Sequence, residues 1–289
     1  LISSEGGNFK LAAWDWWHYS EKLRQEKFDF KEEEVKPYFS EDKVLQGAFE
    51  VANKLFDITF EESADLPKYR DNIKTFIVKD KSEKTIGIFY TDYTLRPNKG
   101  GGAWMSTFRD QSKFDGEIIP LVVNVCNFPP ENADGVSLLS FEQVETLFHE
   151  FGHGLHGLLS EAQYPSLSGT SVTRDYVEFP SQMMENWARE PEVIKTFAQH
   201  YQTGETIPDE LLEKISAAGT FNEGFATTEY VAAAHLDMAY HTNLDEIKDI
   251  DKFEDNALSD LGLIPEIETR YRSTYFGHIF AGGYSSGYY

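Results

Sequence analysis

Apolar and aromatic residues recur at helical spacing through the first sixty positions, as in Leu11, Trp14, His18 and Leu23 and then Val44, Phe49, Ala52 and Phe56. This pattern predicts two or three helices over about residues 8–60. From about Ile73 to Phe128 the texture changes. The segments KTFIVKD, KTIGIFYTDY, GAWMSTF and PLVVNVCNF are alternating or β-branched and are separated by Gly, Pro and Asn turn signals, so a small antiparallel sheet is expected over about 73–128. Beyond Ser140 the helical period returns, broken at Pro165, Pro180, Pro191, Pro208 and Pro265, and the sequence finishes in AGGYSSGYY. The order helices, sheet, helices predicts an α+β fold dominated by helix, organised as one domain over 1–289 whose region 140–289 carries the chemistry.

That chemistry centres on one segment. Ser140 and Gln143 form a capping box, and Phe141, Val144, Leu147, Phe148, Phe151, Leu155 and Leu158 keep a helical period after it. On the predicted helix His149 and His153 stand four apart, about 40° around the axis and ~6 Å along it, so both imidazoles can converge on one ion. Glu150 between them projects from the flank of that face, where its carboxylate can reach a water without ligating the metal. This is the HExxH arrangement of zinc peptidases; an amphipathic helix with two incidental histidines is the plainer alternative. Gly152, Gly154 and Gly157 each cost about 1 kcal/mol against Ala in an exposed helix, which suggests close approach of a neighbouring backbone. His156 lies on the same face but ~10 Å along the axis from His149, too far to share an ion with both histidines, and reads as a packing or supporting residue. Position 159 is Leu, so the further histidine of a metzincin is absent. A third ligand must come from elsewhere, and Asp175, Glu178 and Glu185 in RDYVEFPSQMMENWARE are the candidates.

Composition narrows the partners. Lys and Arg number 26 against 49 Asp and Glu, a net charge of -23 that would repel nucleic-acid phosphates, and no basic patch offsets it. The acidity reads as a solvated surface or as a field that favours cationic substrates. No apolar run approaches the ~20 residues of a membrane span, so neither nucleic acid nor membrane is an expected partner. A single cysteine, Cys126, rules out an internal disulfide and fits a cytoplasmic protein. Residue 1 is Leu rather than Met, which leaves a processed N-terminus and export open.

The strings TLFHEFGHGLHGLLS, LSGTSVTRDYVEFPSQMMENW, KGGGAWM, HYQTGETIP, FNEGFATTEY and FGHIFAGGYSSGYY together resemble the thimet oligopeptidase, oligopeptidase A and peptidyl-dipeptidase family of zinc metallopeptidases. They span nearly the whole chain in the family's order. The resemblance implies a zincin-like fold, one Zn2+ per chain, and Glu178 as the third ligand beside His149 and His153. It also implies that His278, Tyr284 and Tyr288 stabilise the tetrahedral intermediate; read without the family, the tyrosines could equally be packing residues beside a turn. Family members carry a large helical N-terminal region that is missing here, so the chain looks like the C-terminal catalytic part of a longer parent.

On this reading Glu150 acts as general base toward water and short peptides are the substrates, with peptidyl-dipeptidase activity on free C-termini expected and an oligopeptidase A-like endopeptidase as the alternative. The GGGAWM segment is a candidate sheet edge for the substrate strand or, more simply, a strand after a flexible turn. A non-catalytic peptide-binding domain with structural zinc is the competing class; Glu150 argues against it, because structural zinc needs no base.

Overall fold

The computed structural model describes residues 1–29, 31–264, 266 and 268–288; Pro265 and Tyr289 lie outside the described residues. In chain order the helices are α1 (Trp16–Phe28), α2 (Glu32–Val35), α3 (Glu41–Phe56), α4 (Phe141–Leu158), α5 (Arg174–Val177), α6 (Phe179–Arg189), α7 (Pro191–Phe197), α8 (Asp209–Ala218), α9 (Glu223–Thr242), α10 (Ile250–Leu258) and α11 (Gly277–Phe280). Between α3 and α4 run five strands, β1 (Thr59–Glu62), β2 (Lys74–Lys79), β3 (Thr85–Thr94), β4 (Trp104–Arg109) and β5 (Leu121–Phe128). The residues fall into two compact units, one of Lys31–Glu213 and one of Leu1–Phe30 with Lys214–Tyr289.

In the unit 31–213 the strands form one sheet in the order β1-β2-β3-β5-β4. Three of the four pairings are antiparallel, as expected, while β3 and β5 run parallel. The hairpin logic of the sequence misses that pair because β4 is spliced in between β3 and β5 along the chain and then added outside β5, at the sheet edge. Side-chain alternation gives each strand two destinations. Ile88, Tyr90, Val123 and Val125 join Ile73 in a buried cluster on one face. Phe89 turns the other way, into an aromatic core with Phe49 of α3, Phe60 and Phe76 of the sheet, and Phe151 of α4. Central β3 is buried on both faces over most of its length, and it buries Thr91 and Asp92 along with its apolar residues.

Helix α4 starts at the predicted capping box: Gln143 N donates to Ser140 Oγ at 3.1 Å and Ser140 N to Gln143 Oε1 at 2.9 Å. Its glycines are explained individually. A Cβ on Gly152 would lie 2.6 Å from Ser181 Cα and 2.8 Å from the Pro180 carbonyl oxygen, so here the expected backbone approach is real. At Gly154 and Gly157 the neighbours are instead side chains of the sheet, Asn124 and Phe89 for the first and Met105 and Val122 for the second. The helix is thus wedged between sheet and α6.

In the other unit, α9 and α10 enclose Ala232, Leu236 and Leu258, and α9 also packs Ala233 against Phe276 and Ile279. Helix α1 departs from the amphipathic expectation, since it has no buried residue and Trp14 before it is 84% exposed. One of its aromatics still has a partner: Trp16 stacks on Phe225 of α9 with centroids 4.4 Å apart. No helix among the described residues is long and apolar enough to cross a membrane.

Candidate metal centre

His149 and His153 occupy successive turns of α4, with ring centroids 4.9 Å apart. Glu178 comes from the junction where α5 gives way to α6, a kink fixed by Pro180 in the first turn of α6. The close packing at Gly152 brings that junction against α4. His153 Nε2 lies 2.9 Å and His149 Nε2 3.2 Å from Glu178 Oε2. Donor atoms of the three residues all fall within 4.8 Å of one another, a group that could hold a metal ion. Ligands on a tetrahedron with bonds of ~2.0 to 2.1 Å stand about 3.3 Å apart, close to the two separations from Glu178 Oε2 to the histidine nitrogens.

The remaining acids separate by position. Asp175 is exposed on α5 and stays outside the group. Glu185, one of the open candidates for third ligand, sits behind His149 with Oε1 2.6 Å from Nδ1. An ionised carboxylate only accepts, so this contact makes Nδ1 a donor; Nε2, beside Glu178 Oε2, is the nitrogen left to give its lone pair to a metal once a metal displaces its proton. Ser181, fully buried, donates from Oγ to Glu178 Oε2 at 3.0 Å and to the Glu178 carbonyl at 2.8 Å. Neither role was visible beforehand. The signal was the spacing: Glu185 falls seven residues after Glu178 and Ser181 three after it, on the helical face toward α4.

Glu150 is 5% exposed and its Oε2 is buried with no hydrogen-bond partner. Burial raises its carboxyl to about 7, opposed by the charges of His149 and His153 and reinforced by Glu178. Burial would lower His149, but hydrogen bonds to Glu178 and Glu185, with the charges of Glu150 and Glu178, carry it up to about 10. Three carboxylates around two imidazoles therefore make a site that favours positive charge. His156 is outside the group; its Nδ1 is buried without a partner, its ring lies 6.2 Å from that of Tyr176, and burial lowers its pKa.

The other predicted residues lie in the second unit. His278 is on α11, and its ring is 5.8 Å from that of Tyr288. Tyr284 N donates to the His278 carbonyl at 3.0 Å. The loop is anchored by Asp237 of α9, 1% exposed, which accepts from Ser286 N at 2.9 Å and Tyr288 N at 3.0 Å. Burial and the hydroxyl of Tyr271 raise Tyr288 well above the ordinary phenol range.

Comparison with known proteins matches residues 1–289 to the model of peptidase family M3. The dipeptidyl carboxypeptidase of Escherichia coli strain K12 is 45% identical over 294 residues, covering all of this chain and 43% of that protein. Oligopeptidase A of the same organism is 36% identical, again over all of this chain and 43% of the relative. An organellar oligopeptidase A of Arabidopsis thaliana is 38% identical over 96% of this chain and 36% of its own length. The chain thus spans less than half the length of these relatives. With a match that runs from its first residue to its last, this chain belongs to peptidase family M3.

Proposed function

We propose that this chain is the catalytic part of a zinc-dependent peptidase of short peptides that releases dipeptides from a free C-terminus. The observation that carries the reading is the convergence of His149, His153 and Glu178 beside Glu150, a buried carboxyl with an unpartnered oxygen. His149, His153 and Glu178 would hold zinc, which when bound supplies a Lewis acid for the scissile carbonyl and acidifies water. Glu150 takes the proton of the attacking water and passes it to the leaving amine, work suited to a group whose pKa lies near neutrality. Glu185 keeps the His149 ring turned so that Nε2 serves the metal. His278, Tyr284 and Tyr288 are proposed to donate hydrogen bonds to the oxyanion, a role that supplies stabilisation only as charge develops.

Strand β4 lies at the sheet edge, with the glycine turn just before it. An extended peptide can add there as a further strand, through main-chain hydrogen bonds that tolerate varied side chains. The identity to the dipeptidyl carboxypeptidase, higher than that to the oligopeptidases A, favours cleavage two residues from the end. The single buried Cys126 suits a cytoplasmic location.

In the intact protein, Glu150→Gln is expected to abolish turnover while zinc content stays at one per chain; loss of zinc would contradict the role given to Glu150. Mass analysis of products from one peptide in free and C-terminally amidated forms tests the specificity. Dipeptide release from the free form alone supports the reading, and internal cleavage of both forms would replace it with an endopeptidase.

A further inference from the structure

Asn127 of β5 reaches across to the glycine turn before β4. Its Nδ2 donates to the Gly100 carbonyl at 2.8 Å and to the Gly102 carbonyl at 2.7 Å. Two carbonyl acceptors on one end of the amide settle which end is nitrogen. The other end, Oδ1, is buried with no partner among the described residues, a cost that an apolar residue in its place would avoid. Lys99 anchors the start of the same turn. Its side chain is 3% exposed, and Nζ donates to the carbonyls of Asp92 at 2.8 Å and Thr94 at 3.1 Å, to the Cys126 carbonyl, and to Asp92 Oδ1 at 3.1 Å.

The turn between these anchors is bare on its outer side. A Cβ on Gly101 or Gly102 would meet nothing within 4 Å, and Gly102 has φ +81°. Three consecutive glycines are the most entropically costly residues to fix, so the turn needs external bonds to hold one shape. What it then presents is main chain with open space over it.

We infer that Asn127 is a positioning residue for substrate, closing Gly100–Gly102 into a fixed backbone surface at the head of β4 against which the peptide main chain lies. This rests on the reading that substrate adds to the β4 edge. Main-chain recognition makes the consequence independent of substrate side chains. Asn127 should govern binding of every peptide alike, and its loss should act on KM rather than on the chemical step.

The test compares the zinc-loaded intact protein with Asn127→Ala and Asn127→Asp, using two peptides of unrelated side chains and versions of each N-methylated at single amides. Asn127→Ala should raise KM about tenfold for both peptides, the scale of two lost hydrogen bonds, with kcat changed by less than about threefold. Zinc content and thermal midpoint should stay at parental values. Asn127→Asp, which turns an acceptor toward two carbonyls, should raise KM further. Parental KM in both variants, or a fall in kcat that tracks a lowered thermal midpoint, would overturn the inference. If the parent protein discriminates against no N-methylated peptide, the edge-strand reading itself fails. If it does discriminate while Asn127→Ala is silent, only the role of Asn127 falls.

Discussion

Glu178 and Glu185 are chemically identical and seven residues apart, yet one faces the Nε2 atoms of both histidines and the other faces Nδ1 of His149. Removing the first should therefore remove a ligand, and removing the second should only loosen one. Glu178→Gln is expected to lower zinc affinity by several orders of magnitude, whereas Glu185→Gln should lower it by about 10- to 100-fold, the usual consequence of losing an outer partner of a ligating histidine. Titration against a competing chelator measures both, and equal losses would mean that Glu185 ligates directly. The two histidines were legible from their four-residue spacing alone, because a helix fixes the angle between such positions. The choice among Asp175, Glu178 and Glu185 was not, since all three fall on short helical stretches whose kink at Glu178 decides which carboxylate points at α4. Only the family resemblance singled out Glu178 in advance.

The contact between α4 and α6 is set by backbone, and Gly152→Ala tests it. Alanine would gain about 1 kcal/mol in helix propensity, but its Cβ would fall within 2.8 Å of Pro180 O and closer still to Ser181 Cα, atoms that cannot rotate away. We expect net destabilisation of about 1–3 kcal/mol by denaturant unfolding, with weakened zinc retention because Glu178 is carried outward. An unchanged midpoint would show that the helices have slack. A second element-level device is the end of β3, where Asp92 is bound by Arg96 at 2.5 and 2.8 Å, by Tyr69 at 2.8 Å and by Lys99. Burial raises the Asp92 carboxyl, but these partners outweigh it and hold the group at about 2, below its ordinary 3.8. A depressed folded-state pKa stabilises above the ordinary value and loses that contribution as pH falls from about 4 through about 2; here it is on the order of 2 kcal/mol. The difference in unfolding free energy between the parent and Asp92→Asn should therefore narrow between pH 5 and pH 2. Parallel curves would refute the assignment.

Across the whole molecule the net charge of -23 sets a background of self-repulsion that no single ion pair offsets. Raising ionic strength from about 0.01 M to about 0.15 M shortens the screening length to ~8 Å and should raise the thermal midpoint. A flat or falling midpoint would mean that local pairs such as Asp92–Arg96 dominate over the net field. Sequence alone determined much of this protein: α4 with its cap, its buried stripe and its two histidines, and the alternating strands, because each follows from local periodicity. The tertiary structure decided what depends on contacts between distant segments. The parallel pairing of β3 with β5 arises because β4 is placed outside β5, an ordering no strand encodes on its own. The contacts of Glu185, Asn127 and Asp237 likewise depend on atoms from distant positions arriving within hydrogen-bond distance, and α1 keeps no fully buried residue despite its aromatic period because periodicity specifies a face without specifying what will cover it.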